Sequence, residues 1–325
     1  MKEKGFIDEP VPQGVDVVDE INRMKQEKKA VILGHYYQTS DIQDIADYLG
    51  DSLKLSQVAA ETDAEIIVFA GVHFMAETAK ILSPRKKVII PDVNAGCSLA
   101  DSCPPEEFRE FVEAHPDHTV ISYVNTTAEI KTMTDICCTS TNALDIVNYL
   151  PEEEKIIFAP DRNLGNYIQR VSGRDMLIWQ GACHVHEEFS VEKIAELKKQ
   201  HPQAKIIAHP ECEKPVLLMA DHVGSTSSLL KFTRQDDAQQ YIVATESGIL
   251  HQMMKESPEK DFIVAPPKDS TCGCSDCNFM KMITMKKIYN SLKYGGPVVE
   301  LDDDTIRKAR RPIIRMLEIS KELGL

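Results

Sequence analysis

At 325 residues, with 42% hydrophobic and 27% charged, the chain has the composition of a soluble globular protein long enough for two or three domains. A formal charge of −14 disfavours a nucleic-acid partner, because tracking a phosphate backbone needs a positive surface, and no basic stripe with interleaved aromatics is present. No apolar run approaches the roughly 18 residues that span a bilayer, and MKEKGFIDEPVPQG lacks an apolar h-region, so a cytoplasmic location without a membrane partner is expected.

Residues 14–28 carry helical periodicity. The apolar run AVILGHYYQ then reads as a strand, followed by a polar cluster, a helix and a hydroxyl-rich turn in YLGDSLKLS. A second strand, EIIVFAG, a helix, FMAETAKIL, and a third strand, KVIIPDVNAGC, complete a first unit. The same order returns as TVISYVNTT, ICCTSTNAL, EKIIFAP, LGNYIQRVS and DMLIWQGAC, and again as AKIIAHPEC, DHVGSTSSL, QYIVATE, SGILHQMMK and DFIVAPP. His35, Tyr123 and His209 fall in register at spacings of 88 and 86, and Ser52, Thr141 and Thr226 follow at 89 and 85. Self-similarity at a fixed period marks a repeat architecture.

Short apolar, β-branched runs alternating with helical stretches imply βαβ crossovers and parallel sheets buried on both faces. The fold class is therefore α/β, with three pseudo-threefold-related αβα three-layer domains around a central cavity. The first domain covers 14–97 plus a C-terminal helix within 298–325, the second 98–184 and the third 185–277. Residues 302–323 are again helical, with Ile306, Ile313, Ile314 and Leu317 near one face and Asp302, Asp303 and Asp304 suited to the helix N-terminus. Both terminal helices are expected to clamp onto the first domain. Functional groups of parallel sheets gather beyond the carboxyl ends of the strands, where the aligned histidine, tyrosine, serine and threonine positions fall. Taken singly, such residues are ordinary turn formers; three aligned sets are harder to ascribe to chance.

Nine cysteines, an odd number in a reducing compartment, fit metal or redox chemistry better than a disulfide framework. Cys97, Cys183 and Cys277 follow the third strands of the three units, 86 and 94 residues apart. Thiolates suit an iron–sulfur cluster or zinc, and three of them leave one iron of a cubane without a protein ligand. Such an iron polarises a hydroxyl or carboxylate, which is Lewis-acid catalysis of dehydration. The local reading is that Cys272, Cys274 and Cys277, spaced CxCxxC, form a zinc knuckle or a redox pair. Cys103, Cys137, Cys138 and Cys212 read as small buried hydrophobes.

GHYYQ, GDSLKLS, FAGVHFMAETAKIL, PDVNAGCSLADSC, SYVNTTAEIK, CTSTNA, APDRNLG, AHPEC, GSTS and NFMKM occur in this order over nearly the whole chain, and in this the sequence resembles the quinolinate synthase family. The resemblance implies a transferase of de novo NAD biosynthesis that condenses iminoaspartate with dihydroxyacetone phosphate to quinolinate, with loss of phosphate and water. It implies a [4Fe–4S] cluster on Cys97, Cys183 and Cys277 with one open iron. Cys277 is chosen because it directly precedes NFMKM, while Cys272 and Cys274 resemble accessory thiols able to form a reversible disulfide. Their CxCxxC spacing departs from the CxxCxxC of some members, which weakens that redox role. An aspartate-oxidising enzyme that supplies iminoaspartate is an implied partner.

By the same resemblance His35, Tyr37, Tyr123, His209 and Glu211 are catalytic candidates, joined by His186 because it lies three residues after Cys183, and Ser52, Asn125, Thr141, Thr226, His35 and His209 are substrate-binding ones. Histidines move protons near neutral pH, tyrosines donate to a developing alkoxide, and Glu211 takes a proton or holds a hydroxyl. The hydroxyls sit where helix starts receive anions and also where helices are capped. No Gly-rich phosphate loop is present to bind a nucleotide. A zinc-stabilised metabolite-binding protein and a different iron–sulfur hydro-lyase are the competing readings.

Overall fold

The computed structural model describes residues 4–269 and 275–325; Cys272 and Cys274, the candidate accessory thiols, lie outside them. Three parallel four-stranded sheets are formed. The first holds β1 (Ala30–His35), β2 (Tyr48–Gly50), β3 (Ile66–Ala70) and β4 (Lys87–Ile89). The second holds β5 (Thr119–Tyr123), β6 (Ile136–Cys138), β7 (Ile156–Ala159) and β8 (Met176–Ile178). The third holds β9 (Lys205–Ala208), β10 (His222–Val223), β11 (Gln240–Ala244) and β12 (Asp261–Val264). Their orders, β2-β1-β3-β4, β6-β5-β7-β8 and β10-β9-β11-β12, are the same order three times. The expected class, three αβα layers with parallel sheets, is the one observed.

Each sheet has one strand more than the sequence pattern reveals. β2, β6 and β10 are two or three residues long and lie at the hydroxyl turns, into which they merge in the sequence pattern. An aspartate holds each in place. Asp47, Asp135 and Asp221 each accept the amide of Ile32, Val120 or Ile206 on the adjoining strand at 2.8–2.9 Å. Their own amides return a bond to the same residues' carbonyls, so one side chain pins the register of the edge strand.

In the third sheet, Ile206, Ala208, Ile242 and Ala244 pack into one cluster, while Ile207, Tyr241 and Val243 pack into another on the opposite face. This two-sided burial is why its strands read as continuous apolar runs. The first two sheets instead share one large core that also takes in Ile313, Met316 and Ile319 of the C-terminal helix. That helix, Asp303–Glu322, is capped by Asp302. It packs on the helix His73–Leu82 of the first unit and on β6 and the helix Ala128–Lys131 of the second. Arg310 donates to the Ile81 and Leu82 carbonyls, and Asn142 to Ser320, so the helix joins two units where the sequence reading placed it on one. The helix Val17–Glu27 packs on β1 and on the helix Met285–Tyr294. Among the described residues no helix is long and apolar enough to cross a membrane.

Candidate active site

Because all the strands of a parallel sheet point the same way, their carboxyl ends present loops along one edge. Every catalytic, substrate-binding and cluster-ligand candidate among the described residues lies on the wall of one pocket of about 60 Å³ that all three units line. β1 ends in His35 and β5 in Tyr123, and His209 follows β9 directly, so the three residues in register occupy equivalent ends.

The contacts that close the pocket run between units. Tyr37 of the first unit places its hydroxyl 2.9 Å from Thr226 Oγ1 and 2.8 Å from Thr245 Oγ1 of the third. Tyr123 of the second donates to Glu211 Oε1 at 2.6 Å. Thr141 of the second donates to Asp51 Oδ2 of the first at 2.9 Å. His209 Nε2 lies 3.2 Å from Ser140 Oγ. His186 stacks on His209 with ring centroids 4.6 Å apart. Its Nδ1 lies 3.0 Å from Glu211 Oε2 and 3.2 Å from Cys183 Sγ, and its Nε2 lies 3.0 Å from Thr245 Oγ1.

Burial sets the protonation of these groups. It pushes His35 down to about 4 and His209 down to about 3, so both are neutral near pH 7. Burial works the other way on Glu211, but the facing His209 and His186 and the hydrogen bonds from His186 and Tyr123 outweigh it and hold the carboxyl down to about 2. Tyr37 and Tyr123 are raised by burial and remain phenols able to donate. A stability prediction follows for the metal-free protein. Below the ordinary histidine value of 6.5, the unfolded chain binds protons that native His35 and His209 refuse until about 4 and 3. Each therefore removes about 1.4 kcal/mol of stability per pH unit as pH falls through that window. Urea midpoints are expected to drop between pH 6.5 and 4 and to drop less in His35→Gln; equal slopes in the two proteins would contradict it.

The hydroxyl residues do not cap their helices. Ser52 and Thr226 are the first residues of Ser52–Glu61 and Thr226–Gln235, and the caps are Asp51, which accepts from the Lys54 amide, and Ser225, which accepts from the Ser228 amide. Thr141 precedes Asn142, whose Oδ1 accepts from the Thr139 amide. Capping at Ser52 and Thr226 thus falls to the preceding residue, while Asn142, the N-cap residue after Thr141, makes no side-chain cap bond. Asn125 Oδ1 is buried without a hydrogen-bond partner among the described residues, which is how a group awaiting a ligand's donor looks.

Lys131, absent from the sequence reading, is 0% exposed and positions this loop. Its Nζ donates to the Val124 carbonyl at 2.9 Å and the Thr126 carbonyl at 2.5 Å; burial lowers its pKa. Lys131→Met would leave two buried carbonyls without this donor and is expected to cost about 3 kcal/mol, measured by urea unfolding of the metal-free protein. A change under about 0.5 kcal/mol would show the ammonium to be dispensable.

Burial divides the described cysteines cleanly. Cys103, Cys137, Cys138 and Cys212 are buried with no exposed surface, as expected, whereas Cys97, Cys183 and Cys277 are half-buried and line the pocket. The three pocket thiols lie near enough that a charge on Cys183 or Cys277 feels the others, and burial, the larger effect, pushes Cys97 up to about 12. Three soft donors that ionise only against a nearby positive charge fit a metal centre. Cys183 Sγ, His186 and Glu211 also bring ligand atoms within 4.8 Å of one another, a set suited to a single divalent cation.

Fold and pocket together place the chain among triplicated α/β proteins whose repeats converge on a thiol-bearing pocket of enzyme type. The family model described as Quinolinate synthetase A protein matches residues 19–318, and the chain belongs to this family. It is 58% identical over 305 residues to the quinolinate synthase of Synechocystis sp., covering 94% of this chain and 96% of that one. It is 56% identical over 306 residues to that of Nostoc sp., covering 94% of each. With that of Chloroherpeton thalassium it shares 54% identity over 307 residues, 94% of this chain and 95% of the other.

Proposed function

We propose that this chain is a quinolinate synthase of de novo NAD biosynthesis, a cytoplasmic transferase that joins iminoaspartate and dihydroxyacetone phosphate with loss of phosphate and water. The observation that carries the reading is the meeting, at one pocket, of half-buried Cys97, Cys183 and Cys277, one from each repeat among the described residues, with the His35, Tyr37, Tyr123, His186, His209 and Glu211 side chains. Cys97, Cys183 and Cys277 would hold a [4Fe–4S] cluster with one iron open to substrate. When bound, the cluster supplies a Lewis acid that polarises a substrate hydroxyl for loss as water. The three repeats, bounded as 14–97 with 298–325, 98–184 and 185–277, would each be a domain.

The protein's own side chains divide the remaining work. The hydroxyls of Ser52, Thr141 and Thr226, free of capping duty, receive the phosphate and carboxylates. Asn125 Oδ1, without a partner, accepts from a substrate hydroxyl or imine N–H. Glu211, an ionised carboxylate beside the His186 and His209 rings, takes a proton during isomerisation of the triose, and neutral His209 and His35 carry protons onward. Tyr37 and Tyr123, kept as phenols, donate to a developing alkoxide.

A second reading is favoured by the Cys183, His186 and Glu211 grouping, which suits one zinc ion and a non-catalytic metabolite-binding role. Anaerobic purification with iron, sulfide and zinc analysis, followed by an assay for quinolinate from enzymatically generated iminoaspartate and dihydroxyacetone phosphate, separates the two. About four irons per chain, a broad visible shoulder and quinolinate support the synthase. Stoichiometric zinc, no sulfide after anaerobic reconstitution and no quinolinate would replace it with the zinc reading. Cluster without quinolinate, but with turnover of a hydroxy acid, would point to the other hydro-lyase.

A further inference from the structure

Cys97 and Cys183 stand at the N-cap positions of the short helices Ser98–Asp101 and His184–Glu187. Cys277 precedes no such helix. It lies in the connection between β12 and the single turn Met280–Met282, so its backbone must be held by something else. The Cys277 amide donates to Glu246 Oε1 at 3.1 Å, and the Gly248 amide donates to Glu246 Oε2 at 2.7 Å. Lys281 Nζ pairs with Glu246 Oε1 at 2.8 Å, and the Lys281 amide donates to the Cys277 carbonyl at 3.1 Å. These bonds close a ring through Cys277, Glu246 and Lys281. Lys281 Nζ also donates to the Tyr37 carbonyl at 2.7 Å, which ties the ring to the first unit.

Glu246 is 0% exposed. A buried carboxylate costs several kcal/mol unless its oxygens are satisfied, and here two amides and an ammonium satisfy them. The repeat register adds an independent observation. Glu246 lies two residues after Ala244, as Asp161 lies two after Ala159 and Val72 two after Ala70. Asp161 is likewise 0% exposed; its Oδ1 accepts from the Leu164 amide as the cap of Arg162–Ser172, and the carboxylate lies close to the Cys183 amide. The position that is apolar in the first repeat thus carries, in the other two, a buried carboxylate near the cysteine's backbone, hydrogen-bonded to it in the third.

We propose that Glu246, locked by Lys281, is a positioning residue that presents Cys277 to the metal centre and holds it there before metal arrives. The functional meaning rests on the cluster reading, whereas the ring can be tested without any metal. In metal-free protein, alkylation by iodoacetamide followed cysteine by cysteine in peptide digests is expected to proceed roughly tenfold faster at Cys277 in Glu246→Ala, with Cys97 and Cys183 unchanged. Glu246→Gln keeps an oxygen for the Cys277 amide and is expected to stay near the wild-type rate, with Lys281→Met between the two. Iron and sulfide uptake during anaerobic reconstitution is expected to slow in the same order. Wild-type reactivity of Cys277 in both Glu246→Ala and Lys281→Met would overturn the proposal, as would equal acceleration at all three cysteines, the mark of general loosening. If wild-type protein takes up no iron, the cluster reading fails, and the alkylation rates still decide whether Glu246 positions Cys277.

Discussion

Cys97→Ala, Cys183→Ala and Cys277→Ala are each expected to strip the protein of cluster iron and to lower quinolinate formation by more than about a hundredfold, the loss that changes outside the ligand shell alone can bring. Three thiolates from three repeats are the fewest that retain a cubane, so no two of them suffice. The substituted proteins are expected to remain folded, because each of these side chains is half-buried at a pocket wall and fills little of a core. Cys103→Ala and Cys212→Ala are the matched controls. Both thiols are buried, Cys103 in a satellite core with Phe108 and Cys212 in the third unit, so these changes should cost stability while leaving iron content intact. Iron and sulfide analysis with visible spectra checks the set, and a Cys97→Ala protein with full iron and activity would sink the three-cysteine centre.

The second large effect is expected at Glu211. Glu211→Gln preserves an oxygen to accept the Tyr123 hydroxyl bond of 2.6 Å and alters almost no volume, yet it cannot take a proton. Loss of a positioned general base is worth about 10²–10⁴ in rate, so kcat should fall by that order with KM changed only a few-fold and iron content unchanged. Tyr123→Phe provides the comparison. It removes one donor from a carboxylate that faces His186 and His209 and is expected to act more weakly, mainly by altering the pH dependence of kcat. If Glu211→Gln keeps wild-type kcat, the carboxylate is a structural hydrogen-bond acceptor and proton transfer belongs elsewhere in the pocket.

Legibility in the sequence followed length and repetition. The strands at 30–35, 119–123 and 205–208 were readable because each carries three or four consecutive buried residues in an apolar run with turn residues after it. β2, β6 and β10 were not, because their two or three residues lie at the hydroxyl-rich turns and merge with them in the sequence pattern. The residues now holding the pocket in shape were missed for a different reason. Lys131 in AEIK and Glu246 in ATESG carry no local signal: nothing in the neighbouring residues distinguishes a lysine that will donate to buried carbonyls from one that will face water. The repeat register was the available signal for Glu246 and Asp161, and also for Asp47, Asp135 and Asp221, which recur at 88 and 86.

By itself the sequence determined the triplicated α/β architecture and the strand ends on which polar side chains stand. Both follow from local periodicity and from the common direction of parallel strands. Only the tertiary structure decided which of those side chains meet. Tyr37 reaches Thr226 across 189 residues, Tyr123 reaches Glu211 across 88, and Lys281 reaches Tyr37 across 244. Such pairings depend on how three units pack against one another, through a core shared by two of them and separate from that of the third. No spacing along the chain encodes that packing, because it is set by the summed burial of whole sheet and helix faces and not by any single residue.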